Sequence, residues 1–173
     1  SVKEDWRKQI YINDEATIEQ DYSGLHINLL YGLQGLQPQE DPYTIDKLLD
    51  LTDTKQRKIV KGLALMGINA KNPKKAFAAF RQDQQTGSVE RSLEDKQLQL
   101  LLDGFKEKHP AIAASICTDK GVELMAVDGR ITAKVINHFT KRQIPVLTVH
   151  DSYITPHTHT GELRRVMNDA VTE

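Results

Sequence analysis

Strand-forming sequence is confined to the two ends of this 173-residue chain, and that constrains its fold more than any other feature. Near the start, Ile10, Ile12, Ala16 and Ile18 alternate with polar residues around Asn13-Asp14. Period-two alternation across such a turn signal predicts a β-hairpin running from Arg7 to Asp21. Near the end, Ile144–Val149 is dense in β-branched residues, with Pro145 tolerated where the strand begins. His150-Asp151-Ser152 reads as a tight turn, and Tyr153–Thr155 as the antiparallel return. If the two sets of strands pair as neighbours, they form one small antiparallel sheet. Everything between them reads as helix or loop, so the expected class is α+β, a sheet backed by helices.

The helical segments follow from apolar spacing. Ser23 or Gly24 opens a helix through Leu25, Leu29, Leu30 and Leu33. Gly35–Tyr43 is a proline-containing loop, and Thr44–Leu51 is read as a further helix. Thr54 to about Asn69 is a lysine-rich helix. Pro73 starts the next one, with Phe77 and Phe80 on one side. Gln82–Ser88 is a polar break, Leu93–Phe105 is helical, and His109-Pro110 begins a short helix ending near Cys117. A long helix from Gly121 or Val122 to Phe139 carries the stripe Leu124, Val127, Ile131, Val135 and Phe139. A final helix spans about Thr160 to Val171.

Net charge is −1, which hides an uneven distribution. Residues 1–53 hold four basic and eleven acidic side chains, a net of −7. Residues 54–81 hold eight basic side chains (Lys55, Arg57, Lys58, Lys61, Lys71, Lys74, Lys75 and Arg81) and no acid. Such a segment is either a phosphate-binding surface or a solvated helix face. The single cysteine, Cys117, excludes an internal disulfide and fits a reducing, cytoplasmic setting; it reads as a small buried thiol. No apolar run is long enough to cross a bilayer, so no membrane partner is expected. No leader is evident, and Ser1 enters a charged stretch directly, as in a trimmed chain.

Two aspartates carry the chemistry. Asp21 stands where a strand meets a helix, in Asp21-Tyr22-Ser23, and Asp151 stands at the turn His150-Asp151-Ser152. If their strands are neighbours, both carboxylates project from one sheet edge. Paired hard oxygen ligands suit Mg2+ or Mn2+, which keep water and phosphate oxygens in their shells. Alone, either aspartate is an ordinary turn or cap residue. Arg57 and Lys61, four residues apart, share a helix face and can together grip a triphosphate.

Taken in order, these elements resemble the palm and fingers of family A DNA polymerases and the single-subunit, bacteriophage-type RNA polymerases. Asp21-Tyr22-Ser23 looks like the first palm motif, Arg57-Lys58-Ile59-Val60-Lys61 like the Arg-x-x-x-Lys of the fingers helix, and Val149-His150-Asp151-Ser152 like the His-Asp motif. The resemblance covers roughly residues 9–171. It implies a polymerase-type palm (1–36 and 118–173) with a reduced helical fingers part (44–117). It also implies that Asp21 and Asp151 ligate the catalytic Mg2+ or Mn2+ ions, helped by the Tyr22 carbonyl. Arg57 and Lys61 would bind nucleotide phosphates, with Lys61 protonating the leaving group. His150 would position the primer end or support the metal site. The partners implied are nucleoside triphosphates and a nucleic-acid template and primer.

Four features depart from the family. Asn69 stands near the family's stacking aromatic, within the expected nucleotide-binding set. His26 stands where the DNA enzymes place a ribose-excluding glutamate. Ser152 follows the aspartate, as in the RNA polymerases. There is no room before Asp21 for a thumb, which implies a fragment or a minimal enzyme with a helper protein. Two other readings remain: a non-catalytic palm-fold module binding nucleic acid or protein, and a metal-dependent hydrolase using Asp151 with His150, His157 and His159. Pro156 and Thr160 put the last two histidines in a loop. His109 and His138 have no evident partner in the sequence. Trp6 reads as a packing anchor, and Tyr31 and Tyr43 as packing residues or base-stacking platforms.

Overall fold

The computed structural model describes residues 3–22, 24–37 and 41–172. Ser1, Ser23, Pro38 and Glu40, which entered the reading above, lie outside the described residues. Those residues form a mixed α/β fold of eight α-helices and one four-stranded antiparallel sheet. The chain divides into two compact units. One comprises residues 1–25 and 125–173, and the other residues 26–124.

The first unit holds the sheet. After a short helix, α1 (Glu4–Arg7), come β1 (Tyr11–Ile12) and β2 (Glu15–Asp21). Asn13 and Asp14 both take positive φ, 52° and 63°, between the paired residues Ile12 and Glu15. This is the geometry of a type I′ hairpin turn, which the two residue types tolerate. From the chain end come β3 (Leu147–Val149) and β4 (Ser152–Pro156). The strand order is β1-β2-β4-β3, so the last strand, not the one before it, lies beside β2. All five residues of β4 are buried, as its central place requires.

Successive strand residues face opposite sides, and the contacts show which side is which. Gln20 accepts a hydrogen bond from Arg164 Nε at 2.8 Å, and the Tyr22 hydroxyl donates to the Met167 carbonyl at 2.7 Å. Both partners lie on α8 (Thr160–Thr172). The Tyr153 hydroxyl lies 3.0 Å from Thr132 Oγ1, on the part of α7 (Gly121–Lys141) that belongs to this unit. The sheet therefore packs one face on α7 and α8. Ile131, Val135, Phe139, Tyr153, Leu163, Val166 and Met167 form the core between them. Thr17, Glu19 and Asp21 lie on the opposite face.

The second unit is helical: α2 (Leu25–Gly32, whose first residue closes the first unit), α3 (Asp53–Asn69), α4 (Pro73–Asp83), α5 (Val89–Ser92), α6 (Asp95–Lys108) and the first turn of α7. Asn72 caps α4 through its side chain, and Pro73 occupies the first helical position. Phe77, Phe80, Ile59, Leu63, Leu98, Leu101 and Phe105 fill the core.

Several expectations are corrected. Thr44–Leu51 is not helical. Buried Gln56 takes over that segment's backbone: its Oε1 accepts from the Leu48 and Leu49 amides at 3.0 and 3.1 Å, and its Nε2 donates to the Asp46 carbonyl at 2.8 Å. Lys108 Nζ donates to the Asp41 and Thr44 carbonyls. With its polar groups met from outside, the segment does not need helical bonds. The stretch after His109 forms only a 3-10 turn at Ala113–Ser115. Leu33 is exposed, and Ile27 is buried in its stead. Trp6 is 70% exposed, so it is not a packing anchor.

His109 does have partners. Its Nε2 lies 2.7 Å from the Pro42 carbonyl, which only accepts, so Nε2 carries the proton. Nδ1 then accepts from the Tyr31 hydroxyl at 2.6 Å. Burial pushes the His109 pKa down. The imidazole is thus neutral in the fold at pH values where the unfolded chain already protonates. Stability from this source is intact above the unfolded value of about 6.5 and is lost as pH falls below it. The unfolding free energy should therefore decline from pH 7 to pH 5, and less steeply in His109→Gln, as read by urea titrations at each pH.

Candidate functional site

The pairing of β2 with β4 puts Asp21 opposite Ser152, and the Tyr22 amide donates to the Asp151 carbonyl at 3.4 Å. Asp21 and Asp151 are therefore cross-strand neighbours at one end of the sheet. Both side chains are exposed and line one open cleft of about 560 Å3, together with Arg7, Lys8, Glu19, His150 and Ser152. Val149 pairs with Ser152, leaving His150-Asp151 as a two-residue turn. His150 takes φ 55°, a left-handed value that suits glycine and is strained for histidine. Gly24, at φ 66°, provides the left-handed residue between the strand bearing Asp21 and α2.

Tyr22 divides its roles. Its amide belongs to the cleft edge, whereas its ring turns to the helical face, edge-on to Tyr153 at 6.1 Å. Burial pushes its phenol pKa up, so it is a neutral packing group.

Sequence reasoning passed over Glu19 and Arg7. Arg7 Nε lies 2.9 Å from Glu19 Oε2, and Nη2 lies 3.0 Å from Oε1, a forked pair. The Ser152 hydroxyl lies 2.6 Å from Glu19 Oε1. The Arg7 guanidinium holds the Glu19 carboxyl below its usual pKa. The signal existed: Glu19 precedes Asp21 by two residues on a strand, so it shares its face. Arg7 carried no such signal, because its approach depends on the fold of α1 and β1.

The other expected site residues belong to the second unit. Arg57 and Lys61 lie one helical turn apart on α3, each with its charge 5.9 Å from the Tyr43 ring centroid. That is within cation–π range. Tyr43 and Tyr31 are buried, which removes them as base-stacking platforms. Arg57 makes a forked pair with Asp41 at 2.8 and 2.6 Å. Asp41 also accepts from the Thr44 hydroxyl. Its pKa lies well below the carboxylate range, chiefly because of Arg57. Lys55, Lys71 and Arg81 pair with Glu90, Asp119 and Asp95. Among the described residues, Lys55, Arg57, Lys71 and Arg81 are thus matched by acids from other elements.

Asn69 ends α3. Its Nδ2 donates to the Leu65 carbonyl at 2.8 Å, and its side chain packs on Gly121. These contacts make it a helix-end residue packed against the start of α7. His157 and His159 lie in a 3-10 turn, and His159 faces Glu162 at 3.5 Å. His138 also bonds Glu162, at 2.7 Å. Among the described residues, no three His, Cys, Asp or Glu side chains are grouped to hold a metal, and no helix is long and apolar enough to cross a membrane. The Cys117 thiol is buried and its pKa pushed up, as an inert thiol requires.

No family model, curated protein or solved structure matches this chain.

A Cβ on Gly121 would lie 1.9 Å from Asn69 Oδ1 and 3.2 Å from its Cα. Gly121→Ala should destabilise by about 1–3 kcal/mol. The cost should shrink in an Asn69→Ala background, where only the backbone contact remains. A double-mutant cycle in urea reads the difference.

Proposed function

We propose that the chain is the palm and reduced fingers of a nucleic-acid polymerase, transferring nucleotides onto a 3′ end with Mg2+ or Mn2+. One observation carries this reading: the register Asp21↔Ser152 brings two aspartates from opposite ends of the chain to one edge of one cleft. The donor set fits the metal. Two exposed carboxylates on one cleft offer hard oxygens, and Mg2+ fills the rest of its shell with water and phosphate oxygens. Bound there, the cation would polarise the phosphoryl group and favour the 3′-alkoxide.

The chain's own residues have plain tasks in this reading. Asp21 and Asp151 would hold the cation, and the Tyr22 amide, bonded to the Asp151 carbonyl, ties the two chain segments together. On α3, Arg57 and Lys61 would bind phosphate oxygens, and Lys61 would be the proton donor to pyrophosphate. His150, in the turn beside Asp151, would position the primer end or support the metal site. Such a transfer is dominated by positioning and charge, so changing one ligand has a large effect. Asp21→Asn and Asp151→Asn should each abolish primed-template extension with Mg2+ or Mn2+. Full activity in both variants would sink the reading.

The Arg57–Asp41 pair favours a second reading, in which a palm-like module binds nucleic acid or protein without catalysis, because the cation meant for phosphate is already matched. Asp41→Asn discriminates. The pair is exposed, so its loss should cost at most about 1 kcal/mol of stability. For a nucleotide site it should tighten tripolyphosphate binding several-fold in calorimetry, and Arg57→Gln should abolish that gain. For the non-catalytic module neither change should appear.

A further inference from the structure

We propose that Glu19, steered by Arg7, is a positioning residue of the Asp21–Asp151 cleft: it grips the Ser152 hydroxyl and thereby holds the turn that presents Asp151. The inference rests on the metal-cleft reading above and adds to it a residue on which the metal affinity depends.

The geometry is specific. Glu19 and Asp21 share a face of β2, and Ser152 is the cross-strand partner of Asp21. Glu19 therefore reaches Ser152 along the diagonal of the ladder, a span that a long side chain can bridge. The turn it reaches is strained at His150, which adopts a conformation favoured by glycine. Strain of this kind persists only where neighbouring contacts over-determine it. Two contacts do so on the β2 side. The Tyr22 amide holds the Asp151 carbonyl, and Glu19 holds the hydroxyl of the next residue. The Ser152 hydroxyl also lies 2.9 Å from the Val149 carbonyl, across the mouth of the turn. Its one proton can serve either acceptor, and the anionic carboxylate is the stronger.

Arg7 explains how Glu19 can stand there. A third carboxylate beside Asp21 and Asp151 would repel both. The forked guanidinium offsets its charge and fixes its rotamer, leaving Oε1 aimed at Ser152. Arg7 and Glu19 side chains are only 17% and 25% exposed, so the pair is better shielded than an ordinary surface bridge. Glu19 acts through Ser152 and is not itself required to touch the cation.

Manganese binding by the free protein tests this, followed by electron paramagnetic resonance, with the thermal midpoint recorded in chelator. Glu19→Gln and Ser152→Ala should each weaken Mn2+ affinity about ten-fold, the scale expected when a ligand's supporting partner is lost. The double variant should be no weaker than the weaker single variant, because both remove the same contact. Asp21→Asn should abolish binding altogether. If the parent binds Mn2+ and Asp21→Asn does not, the metal cleft stands. Unchanged affinity in both Glu19→Gln and Ser152→Ala would then overturn the role of Glu19 alone. Additive losses in the double variant would also overturn it, since they would mean a general charge effect. If the parent binds no Mn2+, the cleft reading falls and this inference falls with it. Should Glu19→Gln lose its folded transition, Ser152→Ala, which removes one oxygen, decides by the same affinity.

Discussion

The pairing of β2 with β4 is the interaction on which the first unit depends. It joins sequence from the two ends of the chain, so its contacts form only after a long loop closes. Its register sets everything at the cleft. Side chains alternate along a strand, so a slip of one residue would turn Asp21 and Glu19 toward α8 and turn Gln20 and Tyr22 outward. Two side-chain contacts guard against that slip from the helical side: Tyr22 to the Met167 carbonyl and Gln20 to Arg164. Glu19 to Ser152 guards it from the other. The residues that fix the register are thus interleaved with those that line the cleft, and the two functions share one strand.

The second unit is organised differently. Its core is a set of helices with local periodicity, and its unusual feature is the segment around residues 41–49, which is tied down without secondary structure. Gln56, Lys108 and His109 supply the bonds, and Tyr31 in turn bonds His109. That arrangement delivers Asp41 to Arg57 and buries Tyr43 beneath Arg57 and Lys61. The basic segment 54–81 read in isolation is a bare cationic surface. In the fold, the acids that match it arrive from the 41–49 segment, from α5 and α6, and from the turn at Asp119. Whatever anion this surface meets competes with those carboxylates.

Much of the scaffold was legible in the sequence because it is encoded locally. The Asn13-Asp14 turn, the proline at the start of α4, the two phenylalanines on one helix face and the stripe of α7 each declare themselves within a few residues. Leu124, Ile131, Val135 and Phe139 of that stripe are buried, and Val127 is partly so. What failed was decided by distant partners. Thr44–Leu51 has an acceptable helical pattern, yet a single buried glutamine over-rules it. Trp6 looks like an anchor by its type alone, and no local pattern predicts its exposure. The two aspartates were legible from their places at a strand end and a turn. Arg7, Asp41 and the grip of Glu19 on Ser152 were not, because charge pairs across the chain leave no periodic trace.

The positive φ at His150 bears on how such a cleft can be built at all. A glycine there would relax the turn but leave the Asp151 carboxylate freer to wander, since glycine brings the largest backbone entropy. A histidine costs strain and restricts the turn, and the strain must be held by contacts outside it. The sheet edge can make those contacts only if a polar group from β2 reaches past Asp21. A short acidic side chain would stop at its own partner, whereas glutamate has the length to reach the diagonal. An anion at that point needs a cation close by, and β1, too short to carry one itself, is preceded by α1, whose last residue is Arg7. The four-residue helix, the strained turn and the choice of glutamate over aspartate are therefore linked consequences of placing two carboxylates at one edge.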